Sequence, residues 1–120
     1  MTAGVIIGAA RSGAGKTSVT IGLLRALRDR GLEVAGAKSG PDYIDPGFHA
    51  AASGAPGVNL DSWAMPPAVL DHVLDTSRRG RDLVIVESAM GLFDGIDAPA
   101  GRSGAAADLA RRYSLPVVLV

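Results

Sequence analysis

Residues 3–31 constrain this chain more than any other stretch, because an apolar run, a glycine-bearing loop and an amphipathic segment follow one another directly. Val5-Ile6-Ile7 is a short β-branched run of the kind that suits a strand covered on both faces. The loop Gly8-Ala9-Ala10-Arg11-Ser12-Gly13-Ala14-Gly15-Lys16-Thr17 comes next. From Gly15 to about Arg30 the spacing predicts a helix with Val19, Leu23, Leu24 and Leu27 on its inward stripe, and Gly31 is placed to cap it. Strand, loop ending in Gly-Lys-Thr, then helix is the setting in which such a loop cradles phosphate.

The residue types fit that chemistry. A phosphate tail concentrates negative charge, and Ser12, Gly13, Ala14 and Gly15 can turn converging backbone N–H groups toward it. Gly13 and Gly15 can take dihedrals that a Cβ disfavours. The helix start adds its dipole and unpaired N–H donors. Lys16 supplies a full charge and the Thr17 hydroxyl can ligate Mg²⁺. One departure is visible: Ala10 stands where the motif has its first glycine. The alternative is a glycine-rich βα turn that binds nothing.

The chain has 120 residues, one domain's worth or part of a larger one, and 48% apolar residues support a core. Zero net charge argues against a nucleic-acid surface, and no apolar run is long enough to span a bilayer. The absence of cysteine excludes a disulfide framework, a thiolate metal site and a cysteine nucleophile within these residues. A cytoplasmic location and no membrane partner fit this composition. Among 12 basic residues only Lys16 and Lys38 are lysine, and both follow apolar runs.

Further along, residues 32–37 read as a second strand, ended by the Gly- and Pro-containing loop 38–46. A short helix over 47–53 is stopped by Gly54, residues 57–65 read as irregular, and Pro66-Pro67 opens a helix to about Ser77 with Val69, Leu70, Val73 and Leu74 inward. Residues 82–87 form the clearest strand, 88–101 a long loop, 103–113 a small-residue helix and 116–120 a fourth strand. The expectation is therefore an α/β fold, a doubly wound parallel sheet like that of P-loop NTPases. Its four strands should lie in the spatial order second, third, first, fourth, with right-handed crossovers. Ligands of such sheets sit beyond the carboxyl ends of the strands, which brings Lys16, Lys38, Asp45, Glu87 and Asp94 toward one edge.

Glu87 closes an apolar strand, where a phosphate-loop protein places a rigid metal-side carboxylate; an ordinary solvated acid is the alternative. Asp42, Asp45 and Asp94 lie in loops, where aspartate is also common for turn chemistry. His49 and His72 have no ligand partners at a recognisable spacing.

Three blocks then carry a resemblance: residues 38–46 (Lys-Ser-Gly-Pro-Asp-Tyr-Ile-Asp-Pro), 59–63 (Asn-Leu-Asp-Ser-Trp) and 87–95 (Glu-Ser-Ala-Met-Gly-Leu-Phe-Asp-Gly). With residues 101–110 and the closing Leu-Pro-Val-Val-Leu-Val, they resemble the cobyrinic/hydrogenobyrinic acid a,c-diamide synthase family over essentially the whole chain. Ala9, Ala10 and Ser88 depart from it, since relatives carry glycine near the first two and after the glutamate. The resemblance implies an enzyme of cobalamin biosynthesis that uses ATP and Mg²⁺ to activate the a and c acetate carboxylates of a corrinoid substrate. Ammonia drawn from glutamine then amidates them. It further implies that these residues are the N-terminal part of an ATP-binding amidoligase domain, with a C-terminal glutaminase domain outside the chain. By position, Lys16, Asp45, Glu87 and Asp94 would be catalytic. Thr17, Asp45 and Glu87 would serve the metal, and residues 12–17 with Lys38 would serve ATP. The rivals are a related carboxylate-activating enzyme of the cobyric acid synthase or dethiobiotin synthetase type and a partitioning-type nucleotide switch. In such a switch a second lysine stands where this chain has Arg11.

Overall fold

The apolar runs become strands of one all-parallel sheet in a computed structural model that describes residues 3–120. In chain order the elements are β1 (Ala3–Gly8), α1 (Lys16–Asp29), β2 (Val34–Ser39), α2 (Asp45–Ser53), β3 (Val58–Leu60), α3 (Pro67–Arg78), β4 (Leu83–Glu87), α4 (Ala106–Tyr113) and β5 (Val117–Leu119). Their order across the sheet is β3-β2-β4-β1-β5. The four expected strands thus take the expected order, with β4 beside β1 in the register Val5↔Ile85 and Ile7↔Glu87.

The strand count differs from the expected four. Residues 58–60 lie in the stretch read as irregular, yet they pair with Ala37–Ser39 as an edge strand. Three residues carry no readable period, and the turn after them is held by Asp61 Oδ1, which accepts the Trp63 and Ala64 N–H groups at 2.9 and 3.1 Å. The pairing comes from β2, which is already in place. β2 also runs two residues further than expected, so Lys38 and Ser39 are strand residues.

The sheet is covered on both faces, which is why its strands read as continuous apolar runs. Ile6, Ala35, Ala37, Val84 and Val86 pack with Leu70 and Leu74 of α3 and Leu109 of α4. On the opposite face Ile7, Val34 and Ile85 pack with Leu24 of α1 and Ala52 of α2. Each fully buried Ile or Leu contributes roughly 1.5–3 kcal/mol.

The inward face of α1 also needs correction. Val19 and Leu23 are 36% and 38% exposed, whereas Lys16, Thr20 and Leu24 are buried and Ile21 and Leu27 are partly so. The loop sets this rotation. Lys16 lies against the pocket, and residues four apart share its face. In α3, Leu70 and Leu74 face inward as expected, Val73 is half-buried and Val69 is exposed. α4 begins at Ala106 rather than 103, because Gly104 takes φ +83 and cannot continue a right-handed helix.

Candidate functional site

Strand alternation assembles the centre of the site. On β4, Leu83 and Ile85 face α1 and α2 while Val84 and Val86 face the other helices, so Glu87 also faces α1 and α2. On β2, Val34 lies on that same face and Ala35 and Ala37 on the other, so Lys38 joins Glu87. The two are register partners across the β2–β4 pairing.

The phosphate loop lies beside this pair. Gly13 and Gly15 take φ +72 and +98, and a Cβ on Gly15 would meet nothing within 4 Å. Glycine is required at 15 by backbone conformation, not by crowding. Ala10 has no positive φ, so the glycine it replaces is not needed for the turn. Lys16 is 6% exposed, and its Nζ donates to Arg11 O at 3.0 Å. Among the described residues no carboxylate pairs with it, which leaves donors of a buried cation aimed at the pocket. That cavity, of about 400 Å³, is lined by Ser12, Gly13, Gly15, Lys16, Thr17, Ser18, Lys38 and Glu87.

Glu87 is fully buried and saturated on three sides. Its Oε1 lies 2.8 Å from His49 Nε2, and its Oε2 accepts from Lys38 Nζ and from Thr17 Oγ1, each at 2.6 Å. Burial alone pushes its pKa up, but the hydrogen bonds from His49, Lys38 and Thr17 outweigh burial and hold it at about 2. An ionised carboxylate only accepts, so His49 Nε2 carries the hydrogen. Lys38 also pairs with Asp45 and lies 3.8 Å from Asp42. Burial lowers its pKa, yet the hydrogen bonds to Asp45 and Glu87 dominate and raise it. Asp42 organises the start of α2: its Oδ1 accepts from the N–H groups of Ile44 at 2.7 Å and Asp45 at 2.9 Å.

Magnesium, which the resemblance implies, fits this donor set. No group of three or more His, Asp or Glu among the described residues could hold a metal by itself. In phosphoryl sites Mg²⁺ takes only one or two protein oxygens, the rest coming from phosphate and water. The Thr17 hydroxyl hydrogen is committed to Glu87, which leaves the Oγ1 lone pairs for a hard cation.

Of the residues singled out by sequence, Ser12, Gly13, Gly15, Lys16, Thr17, Lys38 and Glu87 meet in this pocket. Ala14 lies in the same loop, half-buried, and Asp45 joins through Lys38. Asp94 is not brought there. Its Oδ2 accepts the Gly91 N–H at 2.8 Å, and it lines a separate cavity with Leu92, Phe93, Leu119 and the loop residues Ala9 and Ala10. His72 is exposed on α3. His49 is the residue that sequence reasoning missed. Its signal was the spacing of four from Asp45, which puts both on one face of α2.

A family model described as the CobQ/CobB/MinD/ParA nucleotide binding domain matches residues 5–111. The hydrogenobyrinate a,c-diamide synthase of Mesorhizobium japonicum is 70% identical over 97% of this chain and 26% of its own length. The synthases of the same name from Agrobacterium fabrum and Rhodobacter capsulatus are 62% and 56% identical, over 97% and 98% of this chain and 26% and 27% of theirs. The chain thus spans about a quarter of the length of these relatives, matching 26% of the first. No helix among the described residues is long and apolar enough to cross a membrane. The glycine loop and the Glu87–Lys38 pair beside it therefore sit in a chain that belongs to the CobQ/CobB/MinD/ParA nucleotide-binding domain family and is similar to the hydrogenobyrinate a,c-diamide synthases.

Proposed function

We propose that this chain is the ATP-handling part of an enzyme that amidates the a and c acetate carboxylates of hydrogenobyrinate, with glutamine as nitrogen donor through a domain outside these residues. The relatives' names favour hydrogenobyrinate over cobyrinate. One observation carries the reading: Lys16 is buried at the pocket with no carboxylate partner among the described residues, a cation waiting for an anion.

Bound Mg²⁺ and ATP would supply a phosphoryl group that turns a carboxylate oxygen into a leaving group for ammonia. The chain's residues make that approach possible. N–H groups of the loop and the α1 start orient the phosphates, and Lys16 offsets their charge. Thr17 Oγ1 would offer the metal a lone pair while donating its hydrogen to Glu87 Oε2. Asp45 acts through Lys38, with which it pairs, and Asp94, on the separate cavity, is assigned to the incoming substrate.

The test uses the full-length protein. Lys16→Ala should lower amidation at least about a hundredfold with either glutamine or ammonia, since both routes share carboxylate activation. ADP formation in the wild type should depend on the corrinoid substrate. An ammonia-dependent rate that survives in the variant removes Lys16 from catalysis, and substrate-independent ATP hydrolysis favours a nucleotide switch.

A further inference from the structure

His49 is a poor residue for the place it occupies unless its hydrogen bond matters. It is fully buried between α2 and the sheet, and its Nδ1 has no partner. β2 makes room for it with Gly36: a Cβ there would lie 2.6 Å from His49 Cβ and 2.8 Å from its Cγ. A glycine inside a strand weakens the strand, and an imidazole with one idle nitrogen is a worse core filler than leucine. Both features lead to one contact, the 2.8 Å approach of Nε2 to Glu87 Oε1.

We propose that His49 is a positioning residue for Glu87: its Nε2–H holds Oε1 so that Oε2 stays turned toward Thr17 and Lys38, with the carboxylate in register for a nucleotide-bound cation. The inference rests on the reading that this pocket binds Mg²⁺ with nucleotide. The unpartnered Nδ1 fits it. With the hydrogen on Nε2, Nδ1 is a bare acceptor, a lesser loss than a buried donor left unpaired would be. Geometry adds a second reason. Asp45 and His49 stand four apart on α2, so one helix face anchors both members of the Lys38–Glu87 pair, Asp45 on the lysine and His49 on the glutamate.

The experiment compares His49→Gln, whose amide reaches the Nε2 position, with His49→Asn, whose amide stops near Nδ1. In full-length protein, binding of a fluorescent ATP analogue is titrated with MgCl₂. His49→Asn should raise the half-saturating Mg²⁺ concentration about tenfold or more, the usual loss when a partner that orients a metal ligand is removed. His49→Gln should stay close to wild type, and metal-free nucleotide binding should be unchanged in both. Equal Mg²⁺ dependence in wild type and His49→Asn, or equal loss in both variants, overturns the proposal. If His49→Asn does not fold by circular dichroism, ¹⁵N-histidine NMR of the wild type decides, with the His49 signals assigned by their loss in His49→Gln. A proton on Nε2 and none on Nδ1 is expected, and the reverse tautomer sinks the idea. Failure of the wild type to show any Mg²⁺-dependent nucleotide binding would instead sink the reading of the pocket.

Discussion

The only two lysines of the chain sit a few side chains apart at the same edge of the sheet, and they are opposites. Both are buried, Lys16 at 6% exposure and Lys38 at 7%. Lys38 is surrounded by carboxylates: Glu87 at 2.6 Å, Asp45 in contact and Asp42 at 3.8 Å. Lys16 has a backbone carbonyl at 3.0 Å and, among the described residues, no acid. A buried charge needs compensation, so the difference separates two roles. The charge of Lys38 is already matched by the protein and holds β2, β4 and α2 together. The charge of Lys16 has no such match among the described residues, and on the proposed reading it meets the phosphates of the nucleotide. A lysine at the start of α1 and one at the end of β2 thus mark the site without saying which of them meets the ligand.

The largest effect that would break this comparison is on stability. Lys38→Met should cost about 3–5 kcal/mol, because it leaves Glu87 and Asp45 without their cation. Lys16→Met should leave stability far less changed, and urea unfolding of the two variants measures the contrast. Comparable losses would mean that Lys16 is structural too.

Acid should undo the same pair more gently. The folded pKa of Glu87, about 2, lies below its ordinary 4.5, so its ionised form stabilises the fold above pH 4.5. That contribution is lost as pH falls from 4.5 through about 2. Asp42 and Asp71 are also held low and titrate in the acid range, so the informative quantity is a difference. Glu87→Gln should be less stable at neutral pH and should decline less steeply than wild type over that window. Identical slopes would show that Glu87 gains nothing on folding.

The smallest effect sharpens the comparison by moving α2 alone. Gly36→Ala places a Cβ against His49 and should cost about 1–3 kcal/mol, as overpacking does. Thermal unfolding checks this, and an unchanged midpoint would mean that α2 shifts without resistance.

How much of this was legible in the chain depends on range. β1, the loop and α1 could be read directly, because strand, turn and helix each leave a local period and the loop needs glycine at positive φ. The inward face of α1 could not, since Val19 and Leu23 match the stripe as well as Thr20 does and the docking of Lys16 chose between them. β3 was hidden because three residues have no period of their own. Glu87 and Lys38 were visible as strand-end charges, yet their pairing depends on β2 lying beside β4 in a register no local pattern announces.

The sequence by itself determined the alternation of strand and helix, the parallel sheet, the phosphate loop and the family. These follow from local conformational preference, burial pattern and residue blocks carried in order. Only the tertiary structure decided that Lys38 is neutralised while Lys16 is not, that Asp94 turns to another cavity, and that His49 reaches Glu87 across a gap left by Gly36. The physical reason is that a buried charge takes its character from atoms within about 4 Å. Those atoms come from residues far apart in the chain, 38 positions for His49 and Glu87 and 70 for Thr17 and Glu87.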